Sequence, residues 1–177
     1  MKREIAVHTF FLVLFFLLIT LFKRWFSLSY WPFWLGGLLG LFLPDLDHLI
    51  YVYFLMPHEL TSQRARFMVE KRDFKDTLSL LFATRRNRTK LIFHTAYFQV
   101  IFAVLTFLVV TSSGSLFGRG LVLSFYLHLL TDQFVDLLEV DNINSWFLEM
   151  NIVLEKSKAV LYWLAMLLLF IVFAFLM

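Results

Sequence analysis

The sequence predicts an all-α, polytopic membrane bundle of about five spans, and three observations carry that expectation. First, 60% of the 177 residues are hydrophobic and only 16% are charged, where soluble domains average about 45–50% and about 25%; mean hydropathy is +0.78. Second, residues 5–22, 25–44, 91–118 and 159–177 form uncharged runs of 18, 20, 28 and 19 residues, and roughly 20 apolar helical residues cross a hydrocarbon core. Third, the sixteen Lys and Arg residues are placed unevenly. This composition excludes a disordered chain, a collagen and an ordinary soluble enzyme. With no Cys, disulfides, thiol nucleophiles and thiolate metal sites are excluded too.

The elements follow in order. Residues 5–22 are a first span. Met1-Lys2-Arg3 precedes it in the manner of a signal peptide, but Lys23-Arg24-Trp25-Phe26 follows where small residues should allow cleavage, so a retained helix is expected. Residues 25–56 form a second span, broken near Pro44, because proline suits a first helical turn and interrupts an interior. Residues 57–90 are a basic segment with nine of the sixteen cations. Within it Phe67, Phe74, Leu78, Leu81 and Phe82 recur at roughly helical spacing among Arg and Lys. That is the pattern of a helix lying on an anionic leaflet, either a topogenic loop or a lid over a lipid-facing site. Residues 91–112, 119–140 and 158–177 supply three more spans, and 142–154, with Trp146 and Phe147, a second interfacial stretch. No repeat or flexible linker divides the chain, so 1–177 is read as one domain.

Basic residues favour the cytoplasmic side. Placing 57–90 there puts thirteen cations inside and three (Lys23, Arg24, Arg119) outside. Five spans in the cell (inner, cytoplasmic) membrane then leave the N-terminus cytoplasmic and the C-terminus outside.

The polar residues within spans are the functional signal. An Asp at a span's centre costs at least about 2.5–3.5 kcal/mol, so it persists where it pairs, lines water or binds an ion. Here they are His8, Asp45, Asp47, His48, His94, His128, Asp132, Asp136 and Glu139, with no Lys or Arg in any span. Protons or metal cations are therefore expected to balance the carboxylates. On the topology above, His8, Asp45–His48, His94 and His128–Asp136 all fall near the cytoplasmic level. His128 and Asp132 are at i and i+4, sharing a helix face that Asp136 continues; Asp45 and His48 are at i and i+3. Imidazole with carboxylate suits zinc, with manganese or iron as alternatives, and three or four carboxylates balance one or two divalent ions. Asp45, His48, His128 and Asp132 are the leading metal ligands and catalytic groups, with Asp47, His8 and His94 next. Asp136 is a ligand or a group that orients a histidine. Arg86, Arg88 and Lys90 are candidates to bind substrate phosphate. His58, beyond the span, is read as solvated; His58-Glu59-Leu60-Thr61-Ser62 lacks the second His of a zincin, and no nucleic-acid module is present.

Leu43-Pro44-Asp45-Leu46-Asp47-His48 after a Gly-rich helix resembles the "PDxDH" signature of the YdjM-like family, LexA-regulated inner-membrane proteins regarded as metal-dependent hydrolases. Val7-His8-Thr9, Phe93-His94-Thr95 and His128-Leu129-Leu130-Thr131-Asp132 resemble that family's early His, the end of its "HRxxTHS" motif and its "HxxxD". The resemblance covers residues 7–132, and departs at Thr89, where the first His of "HRxxTHS" would stand. It implies a helical membrane fold with a metal-dependent hydrolase site, distantly similar to zinc-dependent phospholipase C and P1-type nucleases. The expected function is phosphoester hydrolysis by metal-activated water at the cytoplasmic interface, on membrane lipid headgroups or other phosphoesters, without nucleic acid as a partner. The alternatives are an ion- or proton-coupled transporter, whose polar groups should run through the membrane, and a non-catalytic scaffold with a structural metal.

Overall fold

The computed structural model describes residues 2–85, 88 and 90–177. All regular structure among them is helical. Helix α1 (Lys2–Lys23) is followed by a 3-10 turn (Leu28–Tyr30), α2 (Trp31–Phe42), a break, the short α3 (Leu46–Ile50) and a π-helical turn (Tyr51–Leu55). Next come α4 (Leu60–Glu70), α5 (Phe74–Ala83), α6 (Ala96–Ser112), α7 (Leu116–Glu139), a 3-10 helix (Asn144–Met150) and α8 (Lys156–Leu176). Four stretches are long and apolar enough to cross a membrane: Ala6–Lys23, Leu28–Leu55, Leu116–Glu139 and Lys156–Leu176. The expected fifth span, 91–112, is shorter. Helix α6 has 17 residues, about 25 Å at 1.5 Å per residue. It starts at Ala96, where the Thr95 hydroxyl caps it by accepting the Phe98 N–H at 3.2 Å.

Helix α7 is central. It touches α1, α2, α6 and α8 and is the most enclosed of the four long stretches. The outer faces of α1, α6 and α8 carry exposed Phe10, Phe22, Ile101, Leu161 and Phe175, as expected of surfaces solvated by lipid. Enclosure explains why α7 can carry His128, Asp132 and Gln133, all buried: a span surrounded by other spans offers its polar groups protein partners. Gln133 and Gln99 of α6 exchange amide hydrogen bonds (3.2 and 2.7 Å), and the Tyr162 hydroxyl of α8 donates to Gln99 Oε1 at 2.8 Å.

The closest packing is α2 on α7, made of glycine. A Cβ at Gly36 would sit 2.1 Å from the Phe117 carbonyl oxygen, one at Gly40 2.3 Å from the Leu121 oxygen, and one at Gly120 2.1 Å from the Phe33 oxygen. Small residues spaced four apart let two helix backbones meet in this way.

The break after α2 has a chemical cause. Pro44 offers no N–H, and the Asp45 N–H bonds to the Phe42 carbonyl instead of that of Leu41. The Leu41 carbonyl is thereby released towards α7.

The basic segment folds onto the π-helical turn. Tyr51, Val52, Ala65, Leu81 and Leu91 form a second small core, and the Tyr51 hydroxyl donates to Glu59 Oε2 at 2.8 Å. Phe67, Phe74 and Leu78 remain exposed, in keeping with helices that lie at an interface. The stretch 142–154 differs from its expected interfacial role. Trp146 and Phe147 are buried, because the indole Nε1 donates to Asp136 Oδ2 at 3.0 Å and its ring packs 5.6 Å from that of His94.

Candidate metal centre

The site is built around Asp132, a fully enclosed carboxylate on α7. Its Oδ1 lies 3.1 Å from His8 Nε2 of α1. Its Oδ2 lies 2.9 Å from His94 Nε2 and 3.2 Å from His128 Nε2. His8, His128 and Asp132 each bring a ligand atom within 4.8 Å of the others, and all three are buried. Two donors held about 2.1 Å from one ion lie about 3.4 Å apart at a tetrahedral angle, so sub-ångström shifts of each would close them on a common cation.

The imidazole orientations follow from the backbone. His128 Nδ1 donates to the released Leu41 carbonyl at 2.7 Å. This turns Nε2 towards Asp132, the arrangement in which histidine binds metals. That Nε2 is buried and meets no directed hydrogen bond among the described residues. The glycine contact of α2 with α7 and the Pro44 break thus both act to orient His128.

His94 is set differently. It lies in the irregular segment before α6, and the Asp47 carboxylate organises that segment. Asp47 accepts the N–H groups of Ile92 (2.9 Å), Phe93 (2.6 Å) and His94 (3.2 Å), and its Oδ2 lies 3.1 Å from His94 Nδ1. These four donors saturate Asp47. It was expected among the ligands; the structure instead gives it the part of a carboxylate that orients a histidine. This also explains why α6 begins at Ala96: the preceding amides are held by Asp47 and do not enter the helix.

The remaining expected residues are distributed around this group. Asp45 is 43% exposed, with Oδ1 3.8 Å from His128 Nε2. His48 is buried, its ring stacked 5.3 Å from that of His94, and its Nδ1 has no hydrogen-bond partner among the described residues. Asp136 accepts from Trp146. Lys90 is exposed, Arg88 is buried, and Arg86 and Thr89 lie outside the described residues.

One expectation is overturned. Arg85, from just beyond α5, reaches into the site and contacts Asp132 Oδ1 with its guanidinium. The carboxylate therefore has a protein counter-charge, and the argument that only protons or metals could balance it fails. The sequence does hold the signal: Thr77, Leu81, Arg85 and Arg88 fall on one helical stripe, and Thr77 and Leu81 are buried.

Two cavities flank Arg85. One, of about 30 Å³, is lined by His8, Asp45, Arg85 and His128, enough for an ion or a water. The other, of about 170 Å³, is lined by Arg85, Arg88, His94, Asp136, Ser145 and Trp146 among others. Burial, with repulsion from Arg85, lowers the Arg88 guanidinium to about 10 against the support of Tyr51, so it is a cation at neutral pH. Its Nη2 is tied to the Leu81 carbonyl and, at 2.9 Å, to the Thr84 hydroxyl. Its Nε and Nη1 are buried without acceptors among the described residues, each at a cost of about 1–3 kcal/mol.

No protein-family model, no curated protein and no solved structure matches this chain.

Proposed function

We propose that this protein is a membrane-embedded, metal-dependent hydrolase acting on phosphoesters at the membrane interface. The observation that carries the reading is the meeting of His8, His128 and Asp132, from α1 and α7, as three buried side chains whose ligand atoms lie within 4.8 Å of one another. His128 Nε2 approaches Asp132 Oδ2 at 3.2 Å without hydrogen-bond geometry, and a divalent cation held between the two would satisfy both. His8, His128 and Asp132 would hold the ion, with zinc favoured by this donor set and manganese or iron as alternatives. Asp45, at the rim of the smaller cavity, would complete the ligands. Such an ion acidifies water enough to supply a nucleophile near neutral pH. Asp47 holds His94 towards Asp132, and His94 would orient that carboxylate or accept a proton from the attacking water. Asp136 would position Trp146. His48, stacked on His94, would support it. The likeness of the Asp45–His48 segment to the YdjM-like signature supports the same reaction class, and the basic 57–90 segment supports a cytoplasmic placement of the site.

A second reading has one observation in its favour. The Arg85 contact with Asp132 gives the cluster a metal-free counter-charge, as a scaffold that ties helices together would have. Elemental analysis of the detergent-purified protein separates the two. The hydrolase reading expects at least one zinc, manganese or iron per chain, lost in His128→Ala, together with metal-dependent hydrolysis of phosphodiester lipids or soluble phosphoesters. A wild-type protein that folds, functions in cells and carries no metal would leave only the scaffold.

A further inference from the structure

The larger cavity is not needed to hold an ion, and its chemistry is different. Arg88 forms part of its wall, has a relative exposure of 6%, and keeps two nitrogens, Nε and Nη1, without acceptors among the described residues. Its Nη2 is already anchored on α5, so the guanidinium is held in place rather than free to seek solvent. Arg85 stands beside it, close enough for the two cations to repel, and lines both cavities. Two cations held together, one with unanswered donors, describe a place prepared for an anion. The ligand must offer several acceptors at once. A chloride has a single centre and a carboxylate is planar, whereas a phosphoryl group presents three or four oxygens in three dimensions. About 170 Å³ admits such a group with the first atoms of its ester substituent. Asp136, on the same wall lining, turns Oδ2 to the Trp146 indole, so its charge is partly answered.

We infer that the cleft between the end of α5 and the Asn144–Met150 turn is a phosphoryl-binding site, with Arg85 and Arg88 supplying its positive charge and Arg85 bridging the bound phosphate to Asp132. The substrate assignment rests on the hydrolase reading: His94 lines the cleft and lies 2.9 Å from Asp132 Oδ2. The anion site itself does not depend on that reading. Lys90, exposed, takes no part.

The test uses the full chain in detergent or lipid nanodiscs and follows thermal unfolding. Inorganic phosphate is titrated against chloride at matched ionic strength. In a second arm, nanodiscs containing phosphatidic acid are compared with nanodiscs containing diacylglycerol, which lacks the phosphate. Saturable stabilisation by inorganic phosphate identifies a site open to free phosphoesters; stabilisation by phosphatidic acid alone identifies a lipid headgroup. In either case Arg88→Gln should abolish the effect. Because Arg88 also anchors α5, Ser145→Asp provides a second test. Ser145 is exposed on the cleft wall, so a carboxylate there repels the anion without disturbing the fold, and should weaken phosphate at least about tenfold. Equal stability in phosphate and chloride together with equal stability in the two nanodiscs, or undiminished phosphate binding by Ser145→Asp, overturns the proposal. Chelator-treated protein should still bind phosphate. Phosphate binding by a wild type that carries no metal would remove the hydrolase and keep the site.

Discussion

At the scale of single residues, Asp132 and Asp47 are both buried carboxylates, yet they do different work. Asp132 faces three imidazoles and a guanidinium; Asp47 faces three backbone amides and one imidazole. Removing Asp132 takes away the buried carboxylate that Arg85 and three imidazoles share, and breaking a buried ion pair costs about 3–5 kcal/mol. Asp132→Ala should therefore unfold at markedly lower denaturant than wild type and, on the hydrolase reading, retain no metal, whereas Asp132→Asn should keep more of the fold and, on that reading, still lose the metal. Unfolding curves and elemental analysis of the two variants check both statements. Asp47→Asn should act locally. An amide has one acceptor oxygen where the carboxylate has two, so part of the 92–94 segment loses its partner, at about 2 kcal/mol. Hydrogen exchange of the Ile92 and Phe93 amides should speed up while α7 stays protected. Neither role could be told from the residue type. The sequence places Asp45, Asp47 and His48 in one motif, but the amides that saturate Asp47 belong to the backbone 45 to 47 positions away, and backbone donors leave no mark in a pattern of side chains.

At the scale of elements, helix contacts determine ligand geometry. His128 is oriented by a carbonyl of α2, and α2 reaches that carbonyl to α7 only because glycine permits it. Gly36→Ala or Gly120→Ala forces a methyl group into a backbone oxygen, which the helices can relieve only by separating. Each should cost about 1–3 kcal/mol and, beyond stability, lower metal occupancy by detaching His128 Nδ1 from Leu41. Gly114→Ala is the control: nothing lies within 4 Å of its Cβ, so stability and metal content should match wild type. Most elements were legible from apolar run lengths. Spans expected at 5–22, 119–140 and 158–177 appear as Lys2–Lys23, Leu116–Glu139 and Lys156–Leu176, and the break near 44 falls between Phe42 and Leu46. The start of α6 was not legible, since Leu91, Ile92 and Phe93 are as apolar as any helix residue and are withheld from the helix by Asp47. Arg85 was missed for a related reason. Run length assigns it to the loop, while its long side chain, from just beyond the end of α5, carries its charge to Asp132.

At the scale of the whole molecule, the helices divide into two ends. The Lys23 ammonium of α1 contacts the main-chain oxygen of Met177, so the C-terminal ends of α1 and α8 lie together. His8, near the start of α1, lies beside Asp132, late in α7. The polar cluster and the basic segment therefore share the end of the bundle opposite to Lys23 and Met177. If the bundle obeys the bias of basic residues towards the cytoplasm, the cluster faces inward and the turn at Ser113 and Gly114 faces outward. The absence of Cys makes this directly measurable, because any introduced thiol is the protein's sole reactive sulfur. Gly114→Cys should react with a membrane-impermeant maleimide in intact cells. Glu70→Cys, at the end of α4 within the basic segment, should react only after the membrane is permeabilised. The reverse pattern would put the phosphoryl cleft and the His–Asp group on the outer face, and the substrate would then have to be sought among the lipids and phosphoesters of that side.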